Sequence, residues 1–169
     1  MIFETPRLLV RPYTIDDAEN FFLLNSDPDV IKYIRPAKTK EEAFQFLLEN
    51  IDYYKEFPAY GRWAALEKSD DLFIGSFMIR PSTAIAGKIE LGYSFFKEYW
   101  GKGYASELVN GGLEYAFTQL KLSSVIAITQ VENIASQNVL LKSGFSQLKD
   151  INDKGRMVNL FSIKNILHD

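Results

Sequence analysis

Cysteine is absent from the 169 residues, which excludes a disulfide framework, a cysteine-ligated zinc site and a thiol nucleophile. The absence fits a reducing compartment. Histidine occurs once, at His168 beside the C-terminal residue, so imidazole chemistry has a single, terminal source. Neither sign of charge dominates: 19 Lys plus Arg stand against 22 Asp plus Glu, a net −3. That mildly acidic balance argues against a nucleic-acid partner, whose phosphates draw affinity from Lys and Arg. Long hydrophobic runs are also missing; purely apolar stretches such as residues 21–24 and 125–128 fall far short of the roughly 20 residues that cross a bilayer. No transmembrane helix and no membrane partner are expected. The opening residues carry Glu4 and a Pro6-Arg7 turn where a signal peptide needs a basic patch and then an apolar stretch, so the expectation is a mature, soluble, cytoplasmic protein. The length suits one domain spanning residues 1–169.

Hydrophobic period then places the elements. Residues 8–12 form a short β-favouring run, and Thr14-Ile15-Asp16-Asp17 has the spacing of a capping box, so a helix carrying Phe21, Phe22 and Leu24 follows until Pro28. Thr39 is placed to cap a second helix, with Glu41 and Glu42 at its positive end and Phe44, Leu47, Leu48, Ile51 and Tyr54 at helical spacing. Residues 60–66 and 72–79 read as an antiparallel hairpin around a polar turn. Residues 87–96 alternate as a third strand in which Gly92 is expected to mark a bulge. After a glycine loop, residues 105–116 carry one apolar helical stripe; residues 123–129 read as a buried strand, 134–143 as a short helix, and 145–148 and 157–163 as the last strands. No repeat or linker interrupts the pattern, and one α/β (α+β) domain is expected. Trp63, Phe73, Phe77 and Tyr93 are expected in the core.

The most informative stretch is Tyr99-Trp100-Gly101-Lys102-Gly103-Tyr104-Ala105-Ser106. Glycines between a strand and a helix let backbone N–H groups turn inward at the helix's positive end, where they can hold phosphate or serve as a plain turn. A Walker loop is excluded because no Gly-x-x-x-x-Gly-Lys-Ser/Thr occurs. A dinucleotide fingerprint fails at its third glycine, where Ser106 stands.

These residues resemble the GNAT N-acetyltransferases, and most closely the branch that includes the ribosomal-protein N-terminal acetyltransferases (RimJ/RimL type). The likeness runs from Glu4-Thr5-Pro6-Arg7-Leu8-Leu9-Val10-Arg11-Pro12 and Asp27-Pro28-Asp29-Val30, through Ile89-Glu90-Leu91-Gly92-Tyr93-Ser94-Phe95 and Trp100-Gly101-Lys102-Gly103-Tyr104-Ala105-Ser106-Glu107, to Asn133-Ile134-Ala135-Ser136 and Lys142-Ser143-Gly144-Phe145. The resemblance implies a mixed, mostly antiparallel, twisted sheet of about six or seven strands flanked by about four helices. It implies acetyl-CoA as cosubstrate, no metal, and an amine acceptor, a protein N-terminus or a small molecule. It also implies a homodimer.

By that resemblance the CoA pyrophosphate meets the (Arg/Gln)-x-x-Gly-x-(Gly/Ala) loop at Trp100, Gly101, Lys102, Gly103, Tyr104 and Ala105, with Trp100 departing at the first position. Backbone amides carry most of such binding. The backbone at Tyr93, Ser94 and Phe95 pairs with the pantetheine arm, an N–H near Gly92 polarises the thioester carbonyl, and Asn133 and Asn138 meet the pantetheine. The reaction implied is direct transfer of acetyl to an amine. The attacking amine must be neutral although its pKa lies near ~8 for an α-amine or ~10.4 for lysine, so a base is useful. Glu90 is the candidate, as base or as holder of a water; the other reading of Glu90 is a solvent-facing strand carboxylate. The family's acid, a tyrosine, is replaced here by Leu140, which leaves Ser136 as the nearest polar candidate, either proton donor or helix cap. Asn133 likewise reads as a CoA contact or an N-cap. Asp27, Asp29, Tyr33 and Phe57 are candidates for the acceptor groove, and Lys97, Lys102 and Lys142 for CoA phosphates. The first reading of function is transfer to a protein or peptide N-terminus; the alternatives are a small amine such as a polyamine, amino acid or antibiotic, and a regulatory module that binds acyl-CoA without turnover.

Overall fold

A computed structural model describes residues 1–165, so His168 lies outside the described residues. In chain order the strands and α-helices are β1 (Phe3–Glu4), β2 (Leu8–Arg11), α1 (Ala18–Ser26), α2 (Pro28–Ile31), α3 (Lys40–Glu56), β3 (Gly61–Glu67), β4 (Leu72–Pro81), β5 (Ile89–Phe95), α4 (Tyr104–Thr118), β6 (Ser124–Gln130), α5 (Ile134–Lys142), β7 (Ser146–Gln147), β8 (Ile151–Asp153) and β9 (Arg156–Lys164). Short 3-10 turns at Ile15–Asp17 and Lys97–Tyr99 lead into α1 and into the glycine loop. The elements beyond the expected set are β1, β8 and α2, each too short to show a hydrophobic period.

The capping signals hold. The Thr39 side chain accepts from the Glu42 amide at 3.2 Å while Glu42 Oε2 accepts from the Thr39 amide at 2.9 Å, which fixes the start of α3. At the earlier signal Asp17 accepts the Thr14 amide at 2.8 Å and takes both Nη atoms of Arg11, at 2.7 and 2.8 Å, so a nearly buried carboxylate is fully paired. The α3 stripe is displaced from the expected one: Ala43, Leu47 and Asn50 are buried, and Phe44 faces out at 44% exposure.

One sheet runs β1-β2-β3-β4-β5-β6-β9-β7, with β8 also paired to β9. Every pairing is antiparallel except β5 with β6. Strand β3 explains the two-layered packing: Trp63 and Ala65 join the core under α4, whereas Ala64 and Leu66 join the core under α1 and α3. A strand covered on both faces reads as a continuous apolar run, as residues 63–66 do. Trp63, Phe73 and Phe77 are core aromatics as expected, but Tyr93 is only partly buried and turns its ring toward a cavity.

The bulge expected at Gly92 is absent. Gly92 faces Met78 in an unbroken β4–β5 register, and the irregularity falls between β3 and β4 at Ala65/Leu66, where Ile74 is the extra residue. What opens the sheet instead is the parallel pair. Strands β5 and β6 share the single register pair Glu90 with Ile126 and then part toward their carboxyl ends.

Candidate active site

Parting of β5 from β6 leaves backbone without a neighbouring strand and creates a crevice at the carboxyl ends of two parallel strands, where open α/β sheets bind ligands. A cavity of about 560 Å³ occupies this place, within the size range of small-molecule sites. Its wall comes from Glu90 to Tyr93 on β5, from Ala127 to Gln130 on β6, from the first turns of α5, from the loop after α2, and from the β8–β9 hairpin.

The glycine loop follows at the outer end of β5. Gly101 and Gly103 have φ of 72° and 82°, left-handed conformations that cost a side-chain-bearing residue strain, and Gly103 caps α4. Among the described residues no acceptor meets the backbone N–H groups from Gly101 to Ser106, whereas the Glu107 amide already bonds to Gly103 O. The loop therefore presents a run of free donors at the positive end of a 15-residue helix. Its position is fixed from three sides. Trp100 Nε1 donates to Phe95 O at 2.9 Å, Arg7 Nη1 donates to Lys102 O at 3.1 Å, and Tyr104 is buried with its hydroxyl on Glu67. Glu107 ties the N-terminal segment to the same helix by accepting from Thr5 Oγ1 at 2.6 Å and from the Arg7 amide and Nε at 2.8 and 2.6 Å. Burial alone would raise the Glu107 carboxyl; these bonds hold it below its ordinary value. Trp100 thus anchors the loop through an indole N–H on the β5 terminus. Ala105 is half-buried behind it.

Inside the crevice, Tyr93 Oη and Ser136 Oγ lie 3.1 Å apart and bridge β5 to α5. Ser136 is not the cap of α5; Asn133 is, its Oδ1 accepting from the Ser136 amide at 3.2 Å. Burial raises the Tyr93 phenol, and the Ser136 bond opposes that shift. Leu140 is buried on the cavity wall. Glu90 stands at the apex, at the last paired position of β5 and β6, with its Oε2 accepting from Ser82 Oγ at 2.7 Å. Ser94 and Phe95 carry the strand out of the cavity; both are buried, Phe95 in the α4 core. Asn138 is exposed on α5 and does not line the cavity.

Other candidates separate. Tyr33 lines the cavity, but Asp27 caps α2 and Asp29 is paired with Lys97 at 2.5 Å. Phe57 ends α3 and is 39% exposed. Lys102 lies over the Tyr99 ring at 5.4 Å, and Lys142 sits in the last turn of α5. Three wall residues escaped sequence reasoning. Thr129 is buried on β6 with its Oγ1 unpartnered, and Arg35 and Arg62 each carry a buried, unpartnered Nε. Thr129 closes a strand and the arginines lie on separate elements, so no local pattern marks them.

A crevice between parted parallel strands, walled by polar groups, lies beside a glycine loop of free amides, an arrangement suited to an anionic ligand. The sequence profile described as an acetyltransferase (GNAT) domain matches residues 7–146, and the chain belongs to that family of acetyl-CoA-using N-acetyltransferases. It is 30% identical over 148 residues to the uncharacterized N-acetyltransferase YoaA of Bacillus subtilis, covering 86% of this chain and 83% of that one. Among solved structures, the GNAT-family acetyltransferase from Bacillus anthracis superposes with a TM-score of 0.81 at 27% identity, covering 96% and 97% of the two chains. Spermidine N-acetyltransferase from Vibrio cholerae, solved with CoA and spermine, gives 0.76 at 23% identity over 94% and 95%, a likeness of fold alone. Among the described residues no helix is long and apolar enough to cross a membrane, and no cluster of three or more His, Cys, Asp or Glu is placed to hold a metal.

Proposed function

We propose that the protein transfers acetyl from acetyl-CoA directly to a primary amine, the N-terminal amine of a protein or peptide. The observation that carries the transfer reading is the junction of two features: free loop amides from Gly101 to Ser106 at one end of the crevice, and Glu90 with the Tyr93–Ser136 pair at the other. The residues fit the cosubstrate. The loop amides of Gly101, Lys102, Gly103, Tyr104 and Ala105, held by Trp100, would take the pyrophosphate, and the orphaned Thr129 hydroxyl, with Asn133 at α5, would face the pantetheine. Acetyl-CoA supplies the acetyl group as a thioester.

Around it, the backbone N–H groups of β5 near Gly92, left without a partner strand, are placed to polarise the carbonyl oxygen. The N–C bond forms as the C–S bond breaks. Glu90, or a water it holds, takes the proton lost by the amine, and Ser82 keeps the carboxylate turned into the cavity. Tyr93, relayed through Ser136, returns a proton to the departing thiolate, whose pKa near ~8.5 demands little of the donor. This pair takes the place left by Leu140. The N-terminal acceptor is supported by the branch motifs at residues 4–12 and 27–30. Release of CoA thiol is followed with N-terminal peptides, polyamines, aminoglycosides and free amino acids; release confined to peptides with a free α-amine supports the reading, and release confined to another amine class replaces the acceptor.

A further inference from the structure

Two arginines close the acceptor end of the cavity. Arg62 on β3 is 8% exposed; its Nη2 points to the thioether of Met78 at 3.2 Å, and its Nε is buried without a partner. Arg35, in the loop after α2, gives Nη2 to Asn25 Oδ1 at 2.6 Å, and its Nε is likewise buried and unpartnered. Both guanidinium groups lie over the Phe46 ring, at 5.1 and 5.8 Å, and both line the cavity. Neither forms an ion pair among the described residues. Burial pushes both below the ordinary arginine value: Arg35 to about 9, with the Arg62 guanidinium adding to the effect, and Arg62 in the same direction, with Arg80 adding to it and Glu90 opposing it.

Buried charges in proteins are ordinarily paired, because desolvating an ion costs several kcal/mol that only a counter-charge returns. Here two cations stand together on the wall of one cavity, each with a donor that has no partner. The cavity wall as a whole carries Arg35, Arg62, Lys154 and Arg156 against Glu90 and Asp153, and Glu90 is already held by Ser82. The two acids on the wall favour a singly charged anion over a phosphate dianion, and a planar carboxylate matches the guanidinium fork.

We propose that the acceptor carries a carboxylate besides its amine, and that Arg62 and Arg35 receive this carboxylate; the proposal rests on the acetyltransferase reading of the same site. The two cations would serve twice. They select an acidic acceptor, and by disfavouring a nearby ammonium they release the neutral amine that must attack. A polyamine, with only positive charge to offer, is the chemistry this wall rejects.

The test measures calorimetric binding to the CoA-saturated protein in two arms, with thiol release from acetyl-CoA followed in parallel. One arm compares a C-terminally amidated tripeptide beginning with Glu against the same peptide beginning with Gln, which isolates a side-chain carboxylate. The other compares free leucine with leucinamide, which isolates an α-carboxylate. The acid is expected to bind roughly 30-fold or more tightly than its neutral partner in one arm, the loss typical of a buried charge pair deprived of one member. That ratio should collapse in Arg62→Gln and be largely kept in Arg62→Lys. Equal binding of acid and neutral ligand to the wild-type protein in both arms, which needs no variant to fold, would overturn the proposal. So would spermidine binding as tightly as the preferred acid. Acid-selective binding without thiol release would support the carboxylate site and count against the transferase reading; release without selectivity would do the reverse.

Discussion

Substituting Gly103 separates the shape of the glycine loop from its charge. At φ 82° an alanine costs about 1–2 kcal/mol of conformational strain, and its Cβ would meet only Arg7 Nη2 at 3.5 Å, an ordinary contact. Gly103→Ala should therefore fold, with Tm lower by about 2–8 °C for a domain of this size. Gly103→Glu carries the same strain and adds an anion among the free amides. With its carboxylate about 5 Å from a bound pyrophosphate charge and an effective dielectric between ~20 and ~80, the repulsion is about 1–3 kcal/mol, or roughly 5- to 150-fold in affinity. Calorimetric titration of acetyl-CoA into both variants reads this directly, and the gap between them should narrow with added salt. Equal acetyl-CoA affinity in Gly103→Glu, Gly103→Ala and the wild type would refute the placement of the pyrophosphate on this loop.

Three further perturbations probe other parts. Glu90→Gln should lower turnover by about 100-fold near pH 7 and much less near pH 9, where the acceptor amine is already neutral; a loss that does not change with pH would assign Glu90 a structural role. Tyr93→Phe should slow kcat while leaving acetyl-CoA affinity within about threefold, and Ser136→Ala should do the same more weakly; equal losses in affinity and kcat would make the pair a binding element instead. Tyr13, buried with its hydroxyl on Ser76, is raised by burial to about 12, so its contribution is full below pH ~10 and is lost as pH rises toward that value. The loss amounts to about 3 kcal/mol, and Tyr13→Phe should flatten that alkaline limb in denaturant titrations; an unchanged limb would refute the assignment.

Local chemistry was legible wherever it repeats over a few residues. Thr39 and Glu42 announced the start of α3, and Gly101 and Gly103 announced a turn that only φ above zero could make. Gly92 misled because glycine in an alternating strand is compatible with a regular ladder; the opening at that place comes from the divergence of β5 and β6, a property of two strands separated by the whole of α4. Ser136 was recognised but its two readings stayed open until Asn133 took the capping role and freed its hydroxyl for Tyr93. Arg62 was invisible for a different reason. It lies in a strand buried on both faces, so nothing in its neighbours separates an inward guanidinium from an outward one, and its companion Arg35 arrives from a loop before α3. Leu140 lies on the same cavity wall as Ser136, and the Tyr93 hydroxyl that meets Ser136 comes from the facing strand, a meeting of distant segments that no local pattern announces.

The central claim is that the crevice between β5 and β6 brings acetyl-CoA and an amine together for direct transfer. The measurement that tests it most directly is stoichiometric: CoA thiol released and N-acetylated amine formed, quantified in one reaction of the purified protein with acetyl-CoA and the preferred acceptor. Equal amounts of both products, strictly dependent on the acceptor and formed more slowly by Gly103→Glu at subsaturating acetyl-CoA, are predicted. Thiol release that proceeds without acceptor, or tight acetyl-CoA binding with no product from any amine, would contradict it.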